Sequence, residues 1–194
     1  MIEALASHPD WESLYETAAA QEGLFTTKQA AEGGYSPQLL VHHVHSGKMS
    51  RVQRGIYRLV HFPAGAHEEL VTAWLWSDRA GVLSHQTALA LLGLSDVLPA
   101  HIHVTLPTAW SKRRFRVPLD VVLHHADVVA EDRAWFGPVP ITSPRRTLVD
   151  CANAALSPEV LRQAAQQALR RGLVARDELA DVDHALAPLG GLGT

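Results

Sequence analysis

Between Leu24 and Leu59 the chain reads LFTTKQAAEGGYSPQLLVHHVHSGKMSRVQRGIYRL, and the local signals in this stretch leave few folds open. Thr26 is placed to cap the backbone of Gln29 while Gln29 reaches back, a capping box that opens a short helix through Glu32. Gly33 and Gly34 break that helix. Ser36 and Pro37 supply a cap and a residue suited to the first helical position, and Leu39, Leu40 and Val44 then face inward from a second helix that Gly47 ends. Residues 49–52 and 56–60 read as two short strands around Gln53, Arg54 and Gly55, where the glycine permits a tight turn. Helix, turn, helix and basic hairpin in that order predict a winged helix-turn-helix.

The outer face of the second helix carries Gln38, Val41, His42 and His45 at i, i+3, i+4 and i+7, one stripe free to enter a major groove. These are the expected base readers: Gln suits adenine, Val packs on a thymine methyl, and His donates to guanine or phosphate. From Ser36 to Leu59 the cations Lys48, Arg51, Arg54 and Arg58 meet no Asp or Glu, so the segment is locally +4 in a chain of net charge −3. These four are the expected phosphate contacts. A winged helix that only contacts protein, with its histidines merely solvated, is the competing reading, since fold alone does not fix function.

At 194 residues, 47% hydrophobic and 19% charged, the chain is expected to be globular and to bury a core. Its apolar runs fall far short of the ~20 residues of a membrane span. The N-terminus MIEALASHPDWE has no basic start leading into a long apolar stretch, so the expectation is a cytoplasmic protein without a secretion signal. The one cysteine, Cys151, excludes an intrachain disulfide framework and a four-cysteine zinc site; in the apolar run TLVDCANAAL it reads as a buried thiol.

Asp10 is expected to cap a first helix with an apolar stripe of Trp11, Leu14, Tyr15, Ala18 and Ala19. Pro63 and Gly65 in HFPAGAH mark a linker, which divides the chain into a DNA-binding domain, residues 1–62, and a second domain, residues 63–194. In the second, Leu70, Val71, Trp74 and Leu75 define a helix over about 66–76, with Trp74 and Trp76 as packing residues, and Ser84 caps another that stops at Gly93. HIHVTLP from His101, VPLDVVLHH from Val117 and VPIT from Val139 are the expected strands of a small sheet. Ser143-Pro144 and Ser157-Pro158 open helices over 144–155 and 158–171, the second stopped by Gly172; a last short helix follows Asp177, and the tail PLGGLGT is expected to be mobile. The fold class is therefore α+β, a winged helix-turn-helix followed by an α/β domain with a small sheet and several helices.

Three blocks carry a resemblance to the AbiEi family of antitoxins, from bacterial type IV toxin–antitoxin and abortive-infection systems. The first is GLFTTKQAAEGGYSPQLLVHHVHSGKMSRVQRGIYRLV from Gly23, the second VLSHQTALALLGLSDVLPAHIHVTLP from Val82, the third ITSPRRTLVDCA from Ile141. With the helices after them they span most of residues 10–180. The resemblance implies that the first domain represses its own operon by binding double-stranded DNA at promoter repeats. It also implies that the second domain neutralises a nucleotidyltransferase-like toxin encoded beside it, directly or through the toxin's target. Repeated sites are compatible with dimerisation on DNA, although no coiled coil or dimer seam is visible. A related-looking architecture adds a very-short-patch-repair type nuclease; only 22 residues follow Gly172 here, and no acidic residue followed by Glu-x-Lys is present, so nuclease activity is not expected.

No G-x-S-x-G, G-x-x-x-x-G-K-[ST] or H-E-x-x-H occurs, and the expectation is a non-enzyme without cofactor. Twelve histidines raise a metal question for the pairs His42/His45, His101/His103 and His124/His125. With no evident Cys or Glu to complete a set, no metal site is expected. A second basic run, Lys112, Arg113, Arg114 and Arg116, is either an anion or partner patch, for DNA phosphate or an acidic toxin surface, or a solvated loop. Arg145 and Arg146 oppose a helix dipole in a first turn, which calls for an anion or a carboxylate such as Asp150 within reach. The rival function is a winged-helix regulator or protein-interaction adaptor without a toxin partner; an enzyme with an unrecognised site is the third reading.

Overall fold

The computed structural model describes residues 8–96 and 98–193, in an α+β architecture with two sheets. The expectations for residues 1–7 lie outside the described residues. The chain forms two compact units that divide between Arg79 and Ala80.

The first unit runs α1 (Trp11–Ala19), β1 (Leu24–Thr26), α2 (Thr27–Glu32), α3 (Pro37–His45), β2 (Met49–Gln53), β3 (Ile56–Leu59) and α4 (Glu68–Trp76). Asp10 caps α1 by accepting from the Ser13 amide at 3.0 Å. Leu14 and Ala18 of α1 turn inward, while Trp11 and Tyr15 stay about half exposed, Trp11 leaning on Tyr15 and Tyr15 on Phe62. The capping box of α2 is complete: Thr26 Oγ1 accepts from Gln29 N at 3.1 Å and Gln29 Oε1 from Thr26 N at 2.9 Å. The β2–β3 hairpin turns at Arg54-Gly55, where Gly55 takes φ +81°, a conformation that favours a residue without Cβ. β3 is the central strand, with β1 and β2 antiparallel on either side. Sequence reasoning did not anticipate β1, because three consecutive buried residues show no period. Phe25, Leu40, Met49 and Leu59 join Leu14 and Ala18 in one core.

The expected boundary at residues 62/63 does not coincide with the division of the chain. α4 packs on β1 and β3 and buries Val71, Ala73 and Leu75, so it lies in the first unit. HFPAGAH is a connection inside that unit, and an ion pair from Arg58 to Glu68 at 3.6 Å reaches across it.

The second unit runs β4 (Val82–Leu83), α5 (His85–Leu91), β5 (Ile102–Leu106), β6 (Val121–His125), β7 (Arg133–Phe136), β8 (Val139–Thr142), α6 (Pro144–Asn153), α7 (Pro158–Arg170) and α8 (Ala180–Leu186). Its sheet has the order β6-β5-β4-β8-β7. β5/β6 and β4/β8 are parallel, β4/β5 and β7/β8 antiparallel. The three strands expected from sequence are present; β4 and β7 are additional, the former too short to show a period and the latter half exposed. Leu89, Leu148, Leu161, Leu179, Val182 and Leu186 from the four helices and the turn before α8 gather in its main core.

The tail is a correction to the expectation of mobility. Leu192 is 1% exposed in that core, and its amide donates to Asp183 at 2.7 Å. Arg162 donates to the carbonyls of Gly191 and Leu189 at 2.9 and 2.8 Å. The glycines fold the chain back, with φ +90° and +66° at Gly190 and Gly191, so a leucine in a glycine-rich run finds an apolar site. Among the described residues no helix is long and apolar enough to cross a membrane.

Cys151 is 1% exposed, and burial pushes its thiol up to about 12. Since the thiolate is the reactive species, the native chain is expected to take up no aromatic disulfide reagent at pH 8 and one equivalent in denaturant. Rapid native labelling would contradict that burial.

Candidate nucleic-acid interface

α3 is held by its inner face. Leu40 is fully buried, Leu39 and Val44 are partly so, and Ser36 caps the helix by accepting from the Leu39 amide at 3.2 Å. Because side chains three and four apart share a face, anchoring this stripe turns the opposite one outward. Gln38, Val41, His42 and His45 are all exposed, Val41 at 51%. His43 lies between the faces against Tyr35, and burial, with Lys48 and His42 adding to it, lowers its pKa.

Lys48 precedes β2, Arg51 lies on it and Arg54 sits in the hairpin turn; all three are exposed. Among the described residues none of them forms a salt bridge, and Arg51 reaches only the Gln53 carbonyl, at 3.4 Å. Arg58 departs from the expectation. Its side chain is 20% exposed, pairs with Glu68 at 3.6 Å and donates to the Phe62 carbonyl at 3.1 Å. It braces β3 against the chain leading into α4, and Glu68 compensates its charge. Sequence reasoning missed this because Glu68 lies beyond the segment over which charge was counted.

Lys112, Arg113, Arg114 and Arg116 are exposed in the loop before β6. The Arg113 guanidinium lies 4.0 Å over the Trp110 ring, which itself meets Phe115 edge to face. The loop therefore has an aromatic seat that the basic run alone did not disclose. Arg146 finds its carboxylates within the chain: Nε donates to Asp150 at 2.8 Å and Nη1 to Asp132 at 3.0 Å. Arg145 approaches Asp132 at 3.6 Å.

From the pairs His101/His103 and His124/His125 the structure brings one member of each together. His103 and His124 meet nitrogen to nitrogen at 3.0 Å, and the His85 ring stacks on His124 with centroids 3.6 Å apart. Burial depresses all three, His85 to about 3 and His103 to about 4, with the neighbouring rings adding to the effect; at His124 the charge of Asp150 opposes it. His85, in the run LSHQTAL, carried no signal in sequence.

Residues 12–60 match the model of a family described as "Transcriptional regulator, AbiEi antitoxin". The matched segment takes in α3 and the whole hairpin and ends before α4. Among solved structures, the chain is similar to the crystal structure of RV2827C protein from Mycobacterium tuberculosis, with 16% sequence identity, a TM-score of 0.48 and coverage of 92% of this chain and 76% of that one. No curated protein matches the chain.

Proposed function

We propose, from the match of residues 12–60 to antitoxin transcriptional regulators, that the first unit is a winged helix-turn-helix that binds its own promoter repeats and represses its operon. In this reading α3 enters the major groove, where Gln38, Val41, His42 and His45 read base edges. Lys48, Arg51 and Arg54 hold phosphates on either side of that groove. The observation that carries the reading is the exposed stripe of α3 followed directly by exposed cations that make no salt bridge among the described residues. The second unit neutralises a nucleotidyltransferase-like toxin of a type IV abortive-infection system in the cytoplasm, and the chain itself catalyses no reaction.

The test is a mobility-shift titration of the full chain on the DNA upstream of its own gene, at two salt concentrations and against random DNA of equal length. A shift on upstream DNA at lower protein concentration, weakening steeply with salt, is the expected result. No preference, or no binding at low salt, overturns the repressor reading and favours an adaptor. His42→Ala is expected to reduce discrimination between operator and random DNA by about 1 kcal/mol. Arg54→Ala is expected to weaken both alike, and equal effects of the two variants on both DNAs would contradict this division of roles.

A further inference from the structure

His85, His103 and His124 converge from three segments of the second unit. β5 and β6 run parallel with Thr105 opposite His124, so His103, Thr105 and His124 project from one face of the sheet. His85 opens α5 immediately after β4, with φ +51°, a left-handed conformation that non-glycine residues seldom adopt and that marks a position held by its surroundings. Each residue brings one ring nitrogen within 4.8 Å of a nitrogen on the other two.

We propose that these three histidines form a binding site for a divalent transition-metal cation, zinc in the first instance. Imidazole is a preferred zinc ligand, and three protein nitrogens leave one tetrahedral position for water. Zinc binds imidazole nitrogen at about 2.0–2.1 Å, which sets ligand nitrogens about 3.4 Å apart. The 3.0 Å His103–His124 contact is already close to that spacing. His85 and His124 lie nearly parallel, 13° apart. Two parallel stacked rings cannot both aim a lone pair at one ion, so metal entry requires His85 or His124 to turn about its side-chain torsions.

The surroundings suit a cation. An uncharged imidazole offers one lone pair; one of the facing nitrogens of His103 and His124 carries the proton of their hydrogen bond, and that proton has to move to the ring's other nitrogen for both to face a metal. A ligating histidine needs an acceptor for its other N–H. Ser84 Oγ sits 2.9 Å from His85 Nδ1 and is itself 2.7 Å from Thr105 Oγ1. Thr105 donates to Ser84 Oγ, whose second lone pair can accept from His85 Nδ1; in that tautomer Nε2 of His85 is the free nitrogen. Asp150, 8% exposed, lies close enough to His124 for its charge to act on that ring. Its Oδ1 is taken by Arg146, while its Oδ2 is buried with no hydrogen-bond partner among the described residues. That carboxylate favours positive charge beside His124, against the Arg146 guanidinium, whose charge acts on His85.

The test uses the full chain stripped by a chelator and titrated with Co2+, read by its visible absorption, with Zn2+ as competitor. The expected result is saturation at one equivalent, displacement by Zn2+, and at least about 100-fold weaker binding in His103→Gln and His124→Gln. His42→Ala/His45→Ala, which removes a pair on one face of a surface helix, should bind as the parent does. Absence of saturable one-to-one binding overturns the proposal. So does binding that survives in His103→Gln and His124→Gln but disappears in the α3 variant. X-ray absorption on the zinc-loaded parent requires no variant to fold: three imidazole ligands support the site, and fewer than three overturn it.

Discussion

Replacing Arg51 and Arg54 together with alanine is expected to weaken binding to DNA of any sequence by about tenfold or more at low salt, and to flatten the dependence of log affinity on log salt by about two. Each phosphate neutralised by a cation releases roughly one counterion, so the slope counts the contacts and separates them from base reading. Both side chains are exposed and neither forms a salt bridge among the described residues, so their removal breaks only the long 3.4 Å contact of Arg51 with the Gln53 carbonyl and native stability should stay within about 0.5 kcal/mol. Arg58→Ala should do the reverse. It leaves the salt slope nearly unchanged, because its charge is engaged by Glu68, and it lowers stability by breaking the brace to Glu68 and the Phe62 carbonyl. An unchanged slope in Arg51→Ala/Arg54→Ala, measured by fluorescence anisotropy on operator and random duplexes, would remove the hairpin from the interface.

Arg146→Met is expected to cost the second unit about 3–5 kcal/mol, because removing one member of a buried ion pair strands the others. Arg146 is 16% exposed and stands between Asp150 and Asp132, at 11% and 17%. It also donates to the Asp127 carbonyl, so it ties the start of α6 to the segment before β7. Burial already holds the Asp150 pKa above its ordinary 3.8, against the pull of Arg146. Without the guanidinium that pKa rises further. An acid whose folded pKa exceeds its unfolded value binds more protons when folded, so its destabilisation grows as pH rises through that window. The difference between variant and parent in urea unfolding should therefore be largest at neutral pH and shrink as pH falls toward 4. Adding Asp150→Asn to Arg146→Met should recover part of the loss. A loss under about 1 kcal/mol, with no pH dependence, would mean that solvent screens the cluster.

The first unit was the more legible of the two for a physical reason: its signals are local. The Thr26/Gln29 capping box, Ser36-Pro37 and the Arg54-Gly55 turn each act over a few residues, and each appears at the position read from sequence. The amphipathic division of α3 is equally local, since a helix that buries Leu40 must expose Val41 and His42. Ser84 shows where such reading stops. It stands where an N-cap is expected, yet makes no capping bond, because its hydroxyl is taken by Thr105 and His85. That competition depends on β5, which lies some twenty residues on in sequence.

The sequence by itself determined the order of helix, turn, helix and hairpin, the exposure of the α3 stripe, and three of the five strands of the second unit, since these follow from capping, periodicity and turn chemistry within a few residues. Only the tertiary structure decided that Arg58 is spent on Glu68, that α4 lies in the first unit, that Leu192 anchors the tail, and that His85 joins His103 and His124. Each of these is a pairing between residues distant in sequence, and its partner is selected by strand pairing, side-chain direction and burial, which leave no periodic trace in the chain.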